Sequence, residues 1–81
     1  MKEILYFSAQ WCGPCRMLGP IMESLKDEIN YKKIDVDENQ QLSTQYQIKG
    51  IPTLVLTEDG TDKGRIVGVK SKEEILSFYN G

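Results

Sequence analysis

Apolar residues in this chain fall into short blocks whose spacing changes from one block to the next, and those changes mark out seven elements. Ile4-Leu5-Tyr6-Phe7 is a continuous apolar run rich in β-formers, which predicts a strand over residues 3–8 buried on both faces. Beyond it Leu18, Ile21, Met22, Leu25 and Ile29 recur at spacings of three and four. This predicts a helix from about Cys12 to Glu28 with that stripe in the core. Pro20 lies inside the helix, frees the Arg16 carbonyl and should kink the axis, setting a short first turn apart from the packed body.

Tyr31 to Asp37 reads as a second strand with Ile34 and Val36 on one face, and Gln40 to Tyr46 as a short polar helix. Leu54-Val55-Leu56 opens a third strand after Pro52, Asp59-Gly60 marks a turn, and Arg65 to Val69 pairs back as a fourth strand. Ser71 followed three residues later by Glu74 is a capping-box signature. It opens a last helix with Ile75, Leu76, Phe78 and Tyr79 on its apolar side. The order is βαβαββα. A βαβ unit requires parallel strands and a right-handed crossover, while the last two strands form a hairpin. The expected fold is therefore α/β, a four-stranded mixed sheet with three helices distributed over both faces. No linker or repeat interrupts the chain, so a single domain over residues 1–81 is expected.

Composition narrows the function classes. A net charge of −2 with no basic run argues against nucleic-acid binding. No apolar stretch is long enough for a signal-peptide core or a bilayer span, so neither export nor membrane insertion is expected, and a cytoplasmic location follows. In that compartment disulfides are mostly transient or catalytic.

Chemistry concentrates in Trp11-Cys12-Gly13-Pro14-Cys15, which holds the only two cysteines. Two intervening residues form one tight turn, and Pro14 stiffens it at a position where its missing N–H is not needed. The cysteines then lie within reach of one another at a helix start. There, unpaired backbone N–H groups and the helix dipole favour a thiolate at Cys12. A cysteine of ordinary pKa, about 8.5, is only a few per cent ionised at neutral pH; lowering it to about 7 gives roughly a tenfold gain for about 2 kcal/mol. The same spacing supplies half of many zinc sites, but the chain has no histidine and no third cysteine. A four-ligand site of the usual nitrogen and sulfur kind could form only across two molecules. Histidine general-base chemistry is excluded as well. A purely structural disulfide in so short a loop restrains the unfolded chain little.

Beyond the pentapeptide, the chain carries Phe7-Ser8-Ala9-Gln10 before it and Arg16-Met17 after it. Further along come Pro20, Ile34-Asp35-Val36-Asp37, Tyr46-Gln47-Ile48-Lys49-Gly50-Ile51-Pro52-Thr53-Leu54 and Val67-Gly68. In this order these segments resemble the thioredoxin family closely, and Trp-Cys-Gly-Pro-Cys followed by Gly-Ile-Pro-Thr is a highly specific combination. The resemblance implies that Cys12 is the attacking cysteine and Cys15 the more buried resolving one. It implies a cis Ile51-Pro52 peptide against the sulfurs; X-Pro bonds in general are mostly trans. It also implies that Trp11, Gly50, Ile51, Pro52, Thr53, Val67 and Gly68 form a shallow groove for an extended substrate segment, held by backbone hydrogen bonds. Read without the resemblance, Gly50 and Gly68 are turn glycines and Val67 is core.

Two departures accompany the resemblance. The family usually has a further strand and helix before the motif strand, so this sequence resembles a minimal core, comparable in element count to glutaredoxin. One sheet face should be covered by little more than the helix around residues 40–46. The second departure is Tyr6, which stands where the family usually carries a buried aspartate. A phenol with a pKa near 10 is a poor base at neutral pH. The Cys15 proton must then leave through water, through the Tyr6 hydroxyl as a relay, or to a thiolate made by Cys12. Lys33 matches a family lysine near that aspartate, and Lys49 lies beside the groove; both also read as solvated surface lysines. Glu38, Glu58 and Asp59 read as surface and turn charge.

The implied activity is thiol-disulfide exchange, with Gly13 and Pro14 matching the reducing members of the family. No cofactor or metal is required, since the Cys12–Cys15 dithiol carries the two electrons. The implied partners are protein disulfides and a thioredoxin reductase-type electron donor, with the protein as a monomer. A glutathione-dependent reductant, a non-enzymatic binding subunit and a metal-bridged dimer are the competing readings.

Overall fold

A computed structural model describes residues 1–81 and places the seven elements in the expected order. They are β1 (Lys2–Ser8), α1 (Gly13–Ser24), β2 (Tyr31–Asp35), α2 (Gln40–Gln45), β3 (Thr53–Glu58), β4 (Thr61–Val67) and α3 (Lys72–Asn80). The strands form one sheet in the order β2-β1-β3-β4. The apolar run is central: β1 pairs parallel with β2, Tyr6 opposite Lys33, and antiparallel with β3, Tyr6 opposite Leu54.

Alternation along β1 divides the core in two. Ile4 and Tyr6 join Leu18 and Met22 of α1, Leu54 of β3 and Ile75 of α3 on one face. Each such aliphatic, fully buried, contributes roughly 1.5–3 kcal/mol. Leu5 and Phe7 project to the other face with Ile34 and Val55. That face is covered by half-buried Leu42 and Tyr46 from α2 and its C-terminal end, and by Ile48 and Ile51 beyond it. Since α2 buries none of its residues completely, this cover is thin, as the sequence predicts.

Element ends depart from expectation where backbone chemistry outweighs periodicity. Helix α1 stops at Ser24, not Glu28. The Ser24 hydroxyl donates to the Ile21 carbonyl at 2.6 Å, and the chain tightens into turns in which Leu25, Lys26 and Glu28 donate to carbonyls three residues back. Leu25 and Ile29 stay buried, so the apolar stripe outlasts the regular helix that the pattern suggested. Strand β2 ends at Asp35, where the carboxylate Oδ1 accepts the Asp37 N–H at 2.8 Å and turns the chain. Strand β4 runs from Thr61 to Val67, starting four residues before the expected Arg65 and ending two before Val69. Asp59 and Gly60 both have positive φ, 53° and 83°, the requirement of a two-residue hairpin turn whose twist matches the strands. Glu58 therefore pairs directly with Thr61. The register shifts between Leu56 and Thr57. Opposite that point lies Gly64, with φ 131°.

Candidate active site

Strand β1 delivers the motif to one end of the sheet. After Ser8 the chain turns, with the Cys12 N–H donating to the Ala9 carbonyl, and Cys12 becomes the N-cap of α1 in an extended conformation. Its Sγ accepts the Cys15 N–H at 3.2 Å, so the sulfur occupies the capping position that an oxygen usually fills. Pro14 lies in the first turn. Cys12 and Cys15 are joined as a disulfide with Cα atoms 5.2 Å apart, and both are buried, at 5% and 3% exposure. With Ala9 they form a small apolar cluster against Val36 and Ile51.

The Ile51-Pro52 peptide is cis, and Cys12 Sγ lies 3.8 Å from the Ile51 carbonyl oxygen. Thr53 Oγ1 donates to the Gly50 carbonyl at 2.6 Å, and the Gly68 N–H donates to the Pro52 carbonyl at 2.8 Å. These bonds tie the proline loop to the end of β4, where Thr53 pairs with Val67. A Cβ on Gly50 would come within 3.9 Å of Val67 Cγ1, so these two residues are neighbours. Gly68 has φ 93°, a backbone state that favours glycine for its own sake. Val67 is half exposed and Trp11 is 67% exposed, leaving apolar surface uncovered beside the buried disulfide.

Trp11 is nevertheless held. Its Nε1–H donates to Asp37 Oδ2 at 2.7 Å, a bond across 26 residues that sequence reasoning missed. Asp37 lies within a segment noted for its resemblance, but no local spacing connects position 11 with position 37.

Tyr6 is 1% exposed and its hydroxyl donates to the Cys15 backbone carbonyl at 3.1 Å. Burial pushes the phenol above its ordinary value, so it stays protonated through the neutral range. Lys33 is exposed on β2, opposite Tyr6 in register. It borders a solvent-open cavity of about 430 Å³ that Cys15 also lines, with Ser8, Arg16, Gly19 and Asp35 on its walls. Lys49 is exposed in the loop before Gly50, outside that cavity. No group of three or more His, Cys, Asp or Glu is arranged to hold a metal ion. What the arrangement can do is form and break one disulfide at a helix N-terminus, next to a loop and strand end that expose apolar surface.

Known proteins resemble this chain in sequence and in fold. The thioredoxin family model matches residues 2–80. A thioredoxin of Chlamydia pneumoniae is 46% identical over 77 residues, covering 91% of this chain and 76% of that protein. A thioredoxin of Bacillus subtilis is 44% identical over 78 residues, covering 91% and 75% respectively. Among solved structures, that of a single-site mutant thioredoxin from Halobacterium salinarum superposes with a TM-score of 0.92 at 40% identity, covering 98% of this chain and 72% of that one.

Proposed function

The chain belongs to the thioredoxin family and is a thiol-disulfide oxidoreductase of the disulfide-reducing kind; for its residues we propose the following division of labour. Cys12 is the attacking sulfur. It caps α1, so its thiolate faces the backbone N–H of Cys15 and the positive end of the helix. Attack on a substrate disulfide forms a bond from Cys12 to one substrate sulfur and releases the other as a thiolate. Cys15 then attacks Cys12 Sγ, the second substrate sulfur leaves, and the Cys12–Cys15 disulfide closes. The single observation that carries this reading is the disulfide-bonded pair at the helix start, beside the cis Ile51-Pro52 peptide.

Trp11, Gly50, Ile51, Pro52, Thr53, Val67 and Gly68 hold the substrate segment. Support comes from the exposed apolar faces of Trp11 and Val67 and from the hydrogen bonds that fix the loop between Gly50 and Thr53. Gly13 and Pro14 shape the turn between the sulfurs. Tyr6 supports Cys15 through its carbonyl, and Lys33 places a cation on the cavity that Cys15 lines. The two cysteines carry both electrons, so the reaction needs no bound cofactor. The substrates are protein disulfides and the donor is a thioredoxin reductase-type enzyme. The protein works as a monomer and a single domain over residues 1–81, in the cytoplasm. The family match is the support for this setting. No helix is long and apolar enough to cross a membrane.

Trapping tests the assignment of the two sulfurs. Reduced Cys15→Ser protein mixed with a disulfide-bonded protein should accumulate a mixed disulfide that peptide mass spectrometry maps to Cys12. Accumulation in Cys12→Ser instead, mapped to Cys15, would reverse the roles.

A further inference from the structure

The cavity beside Cys15 bears on a step that the reaction requires and the side chains do not provide. Cys15 must lose a proton before it attacks, and a buried sulfur anion is costly unless something solvates it. The titratable and charged groups around it are Tyr6 from β1, Cys12 and Arg16 from the start of α1, and Lys33 and Asp35 from β2. Tyr6, held protonated by burial, directs its O–H to the Cys15 carbonyl, so it is no base for the Cys15 thiol at neutral pH. Asp35 is the one carboxylate on the cavity wall, with Oδ1 taken by the Asp37 and Glu38 N–H groups.

The cavity is there because its walls are small. Ser8 ends the β1 strand beneath it, and a Cβ built on Gly19 meets nothing within 4 Å. A volume of about 430 Å³ has room for more than one water molecule, and Ser8, Lys33 and Asp35 offer the polar partners water needs. We propose that this cavity is the solvation and proton-exit channel of Cys15, in which water stabilises the thiolate and carries the proton to bulk solvent. The proposal rests on the assignment of Cys15 as the resolving sulfur. The Cys15 S–H proton passes to cavity water, and the thiolate pair forms the bond to Cys12 Sγ. The bond from Cys12 to the substrate sulfur breaks with its electron pair on that sulfur, which takes a proton from solvent. The substrate disulfide is thereby reduced and the Cys12–Cys15 dithiol oxidised.

Stopped-flow reaction of the reduced protein with a chromogenic nitrobenzoate disulfide separates the two sulfurs, because one coloured thiol is released as Cys12 attacks and a second as Cys15 closes the ring. Gly19→Leu places a side chain in the cavity from a helical position. It should leave the first phase within about twofold of wild type and move the pH midpoint of the second phase upward by about one unit, slowing it roughly tenfold at neutral pH. Tyr6→Phe should leave that midpoint where it is. Ser8→Val narrows the same cavity from the strand side and should shift the midpoint in the same direction, which keeps the test available if Gly19→Leu does not fold. A normal first phase with an unmoved second midpoint in the cavity variants, or a midpoint moved by Tyr6→Phe, overturns the channel alone. A first phase that persists in Cys12→Ser overturns the assignment of Cys12 and the channel with it.

Discussion

Replacing Tyr6 by phenylalanine removes one buried hydroxyl and keeps the ring, so its cost can be worked out group by group. The residue is 1% exposed and its hydroxyl donates to the Cys15 carbonyl at 3.1 Å. A hydrogen bond of this kind contributes about 1 kcal/mol net. The variant should therefore be less stable by about 1 kcal/mol at pH 7, or roughly 4–8 °C in Tm for a domain this small. Alkaline pH changes the balance. Burial raises the folded-state pKa of Tyr6 above its unfolded value, so ionisation on unfolding favours the unfolded chain once pH passes the unfolded pKa, about 10. The hydroxyl's contribution is fully present below that value and is lost as pH rises through the folded one. Phenylalanine has no proton to lose, and the gap between the two proteins should narrow above pH 10. Tyr31, whose pKa is also raised, by burial and then by Glu23, leaves some alkaline sensitivity in both. Urea unfolding of the oxidised proteins at neutral and alkaline pH measures both quantities. A neutral-pH cost above roughly 3 kcal/mol, or a gap that widens with pH, would refute the reasoning.

Other perturbations separate the remaining contacts. The chain has a single tryptophan, so fluorescence anisotropy reports Trp11 alone. Asp37→Ala should lower it and raise the KM for a protein disulfide several-fold with little change in kcat, while Asp37→Asn, which keeps an acceptor oxygen, should restore both. Unchanged anisotropy in Asp37→Ala would mean the hydrogen bond holds nothing. Ser71→Ala removes the α3 capping box and should cost about 1 kcal/mol at pH 7 in denaturant unfolding. Bonds from Ser71 lower the folded-state pKa of Glu74, so its contribution is present above the unfolded carboxylate pKa and lost as pH falls through the folded one. Because the carboxylate accepts the Ser71 backbone N–H, which Ser71→Ala retains, Glu74→Gln is the variant that should flatten that acid limb, and a limb of undiminished slope would contradict the cap.

The order and type of the elements were legible because continuous apolar runs mark β1 and β3, three-and-four spacing marks α1, and Ser71 with Glu74 announces a helix start that the structure keeps. Boundaries were less legible where polar groups settle them. Ser24 and Asp35 end α1 and β2 through their own side chains, and Thr61 to Lys63 form strand through hairpin geometry without apolar residues to signal it. The cis state of Ile51-Pro52 follows from resemblance and not from local chemistry, since proline by itself favours trans. Around the disulfide, sequence spacing brings Cys12 to Cys15. It gives no sign that Trp11 meets Asp37, that the Tyr6 hydroxyl meets the Cys15 carbonyl and not its sulfur, or that Gly19 leaves open space beside Cys15. Those contacts join β1, α1 and the end of β2, and they exist only once the sheet has assembled.

Reduction of insulin disulfides by the purified protein tests the central claim most directly, run in parallel with NADPH plus thioredoxin reductase and with glutathione plus its reductase. Turnover with thioredoxin reductase that disappears in Cys12→Ser is the predicted result. Undiminished turnover in Cys12→Ser, or none with wild type and either donor, would contradict a reductase working through Cys12 and Cys15.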